Sequence, residues 1–265
     1  MNLNRNARMF FALMKIRLTR RIADPVSFWT AFFVDTTVFG LQLAVFSVIY
    51  LNVQEINGWG RWETMFFVGT FTLIDGIYMA TYFFGLLRLP DAIRTGTLDL
   101  FLAKPVDSLL RLSFDGADPG SLFLAIPAFG MLSAACVGLG LHVGPVQILS
   151  YAAAVSLMLL LMYDLMVLVR VSAFWTGRTT GMESLEGSLV EFGFRIPGRV
   201  WKGGLRVLFC VFLPYGLIAT FPTEAFLGSA DLAAWASALA VVAAFTFLAR
   251  AAWKLGLRRY AGTGS

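Results

Sequence analysis

Residues 121–141 run without one charged side chain, and so do residues 232–249. A helix needs about 20 residues, at about 1.5 Å each, to cross the roughly 30 Å hydrocarbon core of a bilayer. Four further stretches approach that standard. Residues 26–51 are broken only by Asp35, residues 64–87 carry Asp75 near their centre, and residues 146–169 carry Asp164. Residues 207–222 are shorter and contain Pro214. Such runs constrain the chain more than any motif, because a polypeptide inside lipid must satisfy its own backbone polar groups.

Composition supports the same reading. The 265 residues are 58% hydrophobic and 14% charged, with a mean hydropathy of +0.74. Soluble domains carry about 45–50% apolar and about 25% charged residues, and a domain of this size could not hide the excess. The alternating pattern of outer-membrane strands is absent, which leaves helices. The expected fold is all-α: a polytopic membrane protein with six transmembrane helices, residues 1–265 forming a single membrane domain.

Charge sets the expected orientation. All but Arg61 of the 21 lysines and arginines fall into four groups: before the first stretch, between the second and third, between the fourth and fifth, and after the sixth. By the positive-inside rule both termini and two long loops, residues 88–120 and 170–206, are expected in the cytoplasm. The net charge of +5 is read as this topology signal, not as a footprint for nucleic acid. Residues 1–24 mix Leu3, Phe10, Leu13, Ile16 and Ile22 with cations. They fit an amphipathic helix on the inner membrane face and, equally, a plain basic flank. A secretory signal is not expected, because the basic and apolar segments are both too long for one.

Catalytic signals are missing. No phosphate-binding loop of the G-x-x-x-x-G-K-[ST] form occurs. His142, the one histidine, has no clustered partner, Cys136 and Cys210 form no C-x-x-C pair, and no metal-ligand set is expected. Transport, conduction and scaffolding remain.

The loop after the second stretch is the most structured in sequence. Gly96 is expected to break one helix and Thr97 to cap the next, with Asp99 in its first turn. Lys104 lies near its end, Pro105 stops it, and Leu98, Phe101 and Leu102 form one apolar stripe. Such a helix suits either the membrane surface or a partner's groove, and the residues alone favour neither.

The intramembrane carboxylates need partners, since an aspartate at a span centre costs about 2.5–3.5 kcal/mol. Asp35, Asp75 and Asp164 either line a polar pathway or proton site, or tie helices together. The second is the commoner use. Arg170 lies about 9 Å along the helix axis from Asp164, too far to pair directly. Trp59, Trp62 and Trp253 are expected as interfacial anchors, and most other aromatics as lipid-facing or interfacial.

Three segments carry a resemblance: RTGTLDLFLAKPV (residues 94–106), FWTGRTTGMESL (residues 174–185) and WKLGLRRYAGTGS (residues 253–265). Together, and in this order relative to the spans, they resemble bacterial ATP-binding-cassette type-2 (ABC-2) permeases. The closest subgroup pairs a six-span permease with a separately encoded ATPase. The resemblance implies a coupling helix between the second and third spans that docks on the ATPase. It assigns docking roles to Arg94, Gly96, Thr97, Leu98, Asp99, Leu102, Lys104 and Pro105. It also implies two ATPase copies holding ATP and Mg, with no cofactor in this chain. A second permease chain, identical or related, and export across the bacterial inner membrane complete the picture. The residues around 193–197 read Gly-Phe-Arg-Ile-Pro where the family has a tyrosine-proline pair, and residues 113–119 lack an arginine pair often seen there. Residues 221–226 either dip back into the outer leaflet or form a plain extracellular loop. An ion- or proton-coupled carrier or channel built on the three aspartates, and a non-transporting assembly subunit, are the competing readings.

Overall fold

The computed structural model describes Lys15, Thr19 and residues 25–56, 58–177 and 180–262; the expected amphipathic helix of residues 1–24 lies outside them but for those two positions. The protein is an all-α polytopic membrane protein. Among the described residues there is no strand, only an isolated bridge between Ile56 and Trp59.

Helix α1 (Pro25–Ile49) is followed by α2 (Arg61–Tyr78), which continues through a π-helical turn (Met79–Phe83) to Leu86. Gly60 begins α2, and its N–H donates to the Glu63 carboxylate at 3.0 Å. Short helices α3 (Leu89–Thr95), α4 (Asp99–Leu102) and α5 (Ser108–Asp115) form the loop beyond it. A 3-10 turn (Pro119–Leu124) leads into α6 (Ala125–Gly138), and α7 (Pro145–Val171) returns. Then come α8 (Ala173–Thr176), α9 (Thr180–Arg195), α10 (Gly203–Val207, continued by a π turn to Phe212), α11 (Thr220–Phe226) and α12 (Leu232–Gly262).

The segments expected as the first, second, third, fourth and sixth crossings each provide a helix long and apolar enough to span a bilayer. They pack around a core in which α7 lies against α11 and α12, while α2 packs on α6. Ile74, Leu86, Leu161 and Met166 are among its fully buried members. The opposite faces of α1, α7 and α12 stay apolar and exposed, with Val34, Leu149 and Phe247 pointing outward. A helix apolar on its exposed side as well as its packed side is suited to lipid, not water.

The fifth crossing corrects the sequence reading. Residues 207–222 do not form one rod: the segments Gly203–Phe212 and Pro214–Phe226 meet at 85°. Pro214 cannot donate to a helix ladder, and Leu213 ahead of it leaves helical geometry at φ −127°, ψ 69°. The Arg199 guanidinium and the Glu224 carboxylate lie 2.6 Å apart, so the hairpin between them ends at the level where it begins. This is a re-entrant hairpin, and residues 221–226 form part of its returning arm.

The same ion pair relocates part of the second long loop. Ser150, near the start of α7, donates to the carbonyl of Ala225, next to Glu224. Arg170 lies twenty residues further along α7, about 30 Å away. Arg199 also sits over the Trp59 ring at 5.9 Å, beside the connection between α1 and α2. Residues 170–206 therefore do not remain on the side of residues 88–120. Helix α9 carries the chain across, and Arg199 shares the far end with Trp59 and Glu224. Glu183, Glu186 and Glu191 hide this crossing from any hydropathy reading. Burial resolves one of them: Glu186 is 5% exposed, and its carboxylate lies 2.6 Å from the 3%-exposed Arg170. Glu183 approaches the same guanidinium at 3.8 Å.

The tryptophans also depart from expectation. Trp59 and Trp253 are buried and packed on Phe67 and Phe174, not on lipid. Trp62 is half-buried beneath the Arg61 guanidinium. Phe66, Phe67 and Phe71 are likewise core residues, because the faces of α2 turn toward other helices instead of lipid.

Candidate functional site

The end of the bundle that carries residues 88–106 holds the chain's most elaborate local structure. Helix α2 reaches it through Gly85, whose backbone lies directly on α5: a Cβ there would collide with the Ser113 carbonyl, and one on Gly116 with the Gly85 nitrogen. Pro90 and Asp91 open α3, and Arg94 pairs with Asp91 at 3.2 Å. Gly96 ends α3 at φ +75°, the left-handed conformation that favours glycine, so the expected break is present. The chain then folds back, with the Leu98 N–H donating to the Ala92 carbonyl at 3.1 Å.

The helix that follows differs from expectation in three ways. It has only four residues, Asp99–Leu102, and stops before Lys104 and Pro105. Thr97 does not cap it; its hydroxyl bonds that of Thr95 at 3.0 Å. Leu98, expected at the docking face, is fully buried in the chain's own core, with half-buried Phe101 packed beside it. The apolar stripe anchors the segment. Leu100, which sequence reasoning passed over, points outward at 67% exposure, and Arg94, Gly96, Thr97, Asp99, Leu102, Lys104 and Pro105 are exposed around it. A partner would therefore meet a mostly polar rim about Leu100, with Leu102 less exposed beside it.

Two distant segments brace this surface. The Tyr260 hydroxyl, near the end of α12, bonds the Asp99 carboxylate. The Phe174 ring of α8 packs on Tyr260 at 6.1 Å and on Trp253 at 5.8 Å, and Gly256 leaves room for that ring. Residues from all three segments singled out in the sequence thus meet in one place. Asp107 completes the loop by accepting from the Leu110 N–H at 3.0 Å to cap α5, and Arg111 lies 5.6 Å from the Phe101 ring.

A profile described as ABC-2 family transporter protein matches residues 37–264. The chain belongs to the ABC-2 transporter family. No curated protein and no solved structure is significantly similar to it. Family membership makes the chain a permease component of an ABC transporter, a class that works with an ABC ATPase and often as a dimer.

In this ABC-2 permease Asp75 and Asp164 lie on different helices, α2 and α7. Asp164 on α7 accepts from Thr246 on α12 at 2.5 Å, a bond that joins two crossings, and Arg250 lies within electrostatic range. Asp75 is buried, within electrostatic range of Tyr78 one turn along its own helix. Asp35 lies on α1, away from both in the chain. Arg170 serves Glu186 on α9 and leaves Asp164 to Thr246. Among the described residues no three His, Cys, Asp or Glu side chains gather to hold a metal ion.

Proposed function

We propose that this permease is the membrane half of an ATP-driven exporter whose ATPase is a separate subunit seated on residues 94–105. The observation that carries the reading is the braced docking surface: Leu98 anchors it, Tyr260 and Phe174 support it, and Leu100 stands clear of it. A coupling element must move the bundle when pushed. Its packing on α5, its bond to the end of α12 and its chain connection through α3 to α2 give it that leverage.

On this reading two ATPase copies bind ATP and Mg, close on each other, and tilt two facing permease chains, identical or related. The docking end faces the cytoplasm of a bacterium, with both termini on that side, and the protein sits in the inner membrane. The basic residues 88–111 and 250–259 stand at this end in accord with the positive-inside rule. The carrier reading has less support, because Asp164 accepts from Thr246 of this same chain and so ties two helices together.

Leu100→Asp tests the docking reading. The residue is exposed, so the variant should insert and fold, yet co-purify with the ATPase at no more than about a tenth of the wild-type yield, as expected when a central apolar contact is replaced by a charge. Undiminished ATPase binding would move the docking site elsewhere.

A further inference from the structure

Between α5, α7 and α12, at the docking end of the bundle, lies a cavity of about 490 Å³. Leu109, Leu110, Phe114, Leu159 and Leu160 give it apolar walls, and Asp107, Asp164, Arg250 and Lys254 give it charge. It is separate from the exposed rim around Leu100 and from the hairpin at the far end. Its depth is set by α12: Lys254 precedes Tyr260 by six residues and Arg250 by ten, about 9 Å and 15 Å. Arg250 directly follows the uncharged run of residues 232–249, so these two cations stand where the apolar part of α12 ends.

We infer that this cavity binds a phospholipid with a zwitterionic, primary-amine headgroup, namely phosphatidylethanolamine. Charge makes the choice. Asp164 is buried, bonded to Thr246 and within range of Arg250, so its charge is spoken for inside the protein. Lys254 is exposed and Asp107 half-buried at the same cavity. One cation and one carboxylate facing a single space complement a phosphodiester and an ammonium. Phosphatidylglycerol carries the same single phosphate charge but presents Asp107 with a neutral glycerol in place of the ammonium. A choline headgroup has no N–H to donate to it.

The walls argue for a lipid over a soluble zwitterion. Leu160 is 42% exposed at the cavity and continues into the apolar outer face of α7 and α12, where Phe247 and Leu248 also point outward. An acyl chain can follow that path from the cavity into the bilayer. The site adjoins α5, whose capping residue is Asp107 itself, so the lipid would rest against the element that follows the docking segment.

The test is lipid retention by the full-length permease, read by native mass spectrometry after incubation with equal amounts of phosphatidylethanolamine, phosphatidylglycerol and phosphatidylcholine. Wild type should retain phosphatidylethanolamine about tenfold over phosphatidylcholine, the scale of one charge-assisted hydrogen bond. Asp107→Asn and Lys254→Gln should each bring that ratio near one. Asparagine still caps α5, so the first variant keeps the fold. Arg258→Gln with Arg259→Gln, beyond the cavity, should leave the ratio unchanged. Equal retention of all three lipids by wild type, a preference for phosphatidylglycerol, or an unchanged ratio in both cavity variants overturns the proposal. So does displacement of the lipid by free phosphoethanolamine at equal concentration, which would mark a site for the soluble headgroup.

Discussion

The hydroxyl of Tyr260 bonds the carboxylate of Asp99, so the last turns of α12 hold the segment between α3 and α5. The two residues are 161 positions apart in the chain and sit in two of the three segments that resemble the family. Tyr260→Phe keeps the ring against Phe174 and removes only the bond. It should lower affinity for the partner ATPase by roughly 3- to 10-fold, the range of one hydrogen bond to a charged group partly screened by water. Titration of purified ATPase onto the permease in nanodiscs measures this. Asp99→Asn, which can still accept from the tyrosine, should lose less.

The Arg199–Glu224 pair makes a topological prediction. With Cys136 and Cys210 replaced by serine, a cysteine at Lys202 should react with an impermeant maleimide on intact cells, whereas one at Lys104 should react only after permeabilisation. Reaction of both from the same side would return residues 170–206 to one loop and remove α9 as a crossing.

Five of the crossings were legible because each is a long apolar run, and lipid leaves a helix as the only economical use of one. The sixth was not. Helix α9 is tolerable in the membrane only because Arg170 comes from α7 to meet Glu186, a long-range pairing that no window along the sequence can register. The docking segment was legible in outline, since Gly96 and the Asp99 turn are local signals. Its facing was not: which of Leu98 and Leu100 is buried depends on where Ala92 and α5 lie. Tyr260 was visible as part of a motif, but its bond to Asp99 is a product of tertiary structure alone. The charge count misled at Arg199 for a related reason, because its guanidinium is held by Glu224 and Trp59 and so need not stay with the other cations.

Arg170 and Glu186 are both nearly fully buried, so removing one charge strands the other. Arg170→Met should destabilise the protein by about 3–5 kcal/mol. Arg170→Met combined with Glu186→Leu should recover much of that loss, because no fully buried charge is then stranded and the partly exposed Glu183 keeps access to solvent. Thermal unfolding in detergent gives the comparison. Additive effects of the two changes would show that the pair is not coupled.

The contact between Gly85 and Gly116 gives the sharpest packing prediction. At Gly85 an added Cβ would strike the Ser113 carbonyl, and at Gly116 the Gly85 nitrogen. These neighbours are backbone atoms, which have no rotamer to change, so α5 itself must move off α2. Overpacking of this kind costs about 1–3 kcal/mol, and Gly85→Ala and Gly116→Ala should fall at or above the upper end. Gly40 and Gly130 are helical, and a Cβ at either meets nothing within 4 Å. Alanine there should be neutral or stabilising by up to about 1 kcal/mol, since glycine is the weaker helix former. Unfolding midpoints of the four single variants, compared in one detergent, separate the classes. Gly85→Ala should also weaken ATPase binding, because α5 shares its core with buried Leu98, the anchor of the docking segment. A Gly85→Ala permease as stable as wild type would mean that the two backbones do not touch.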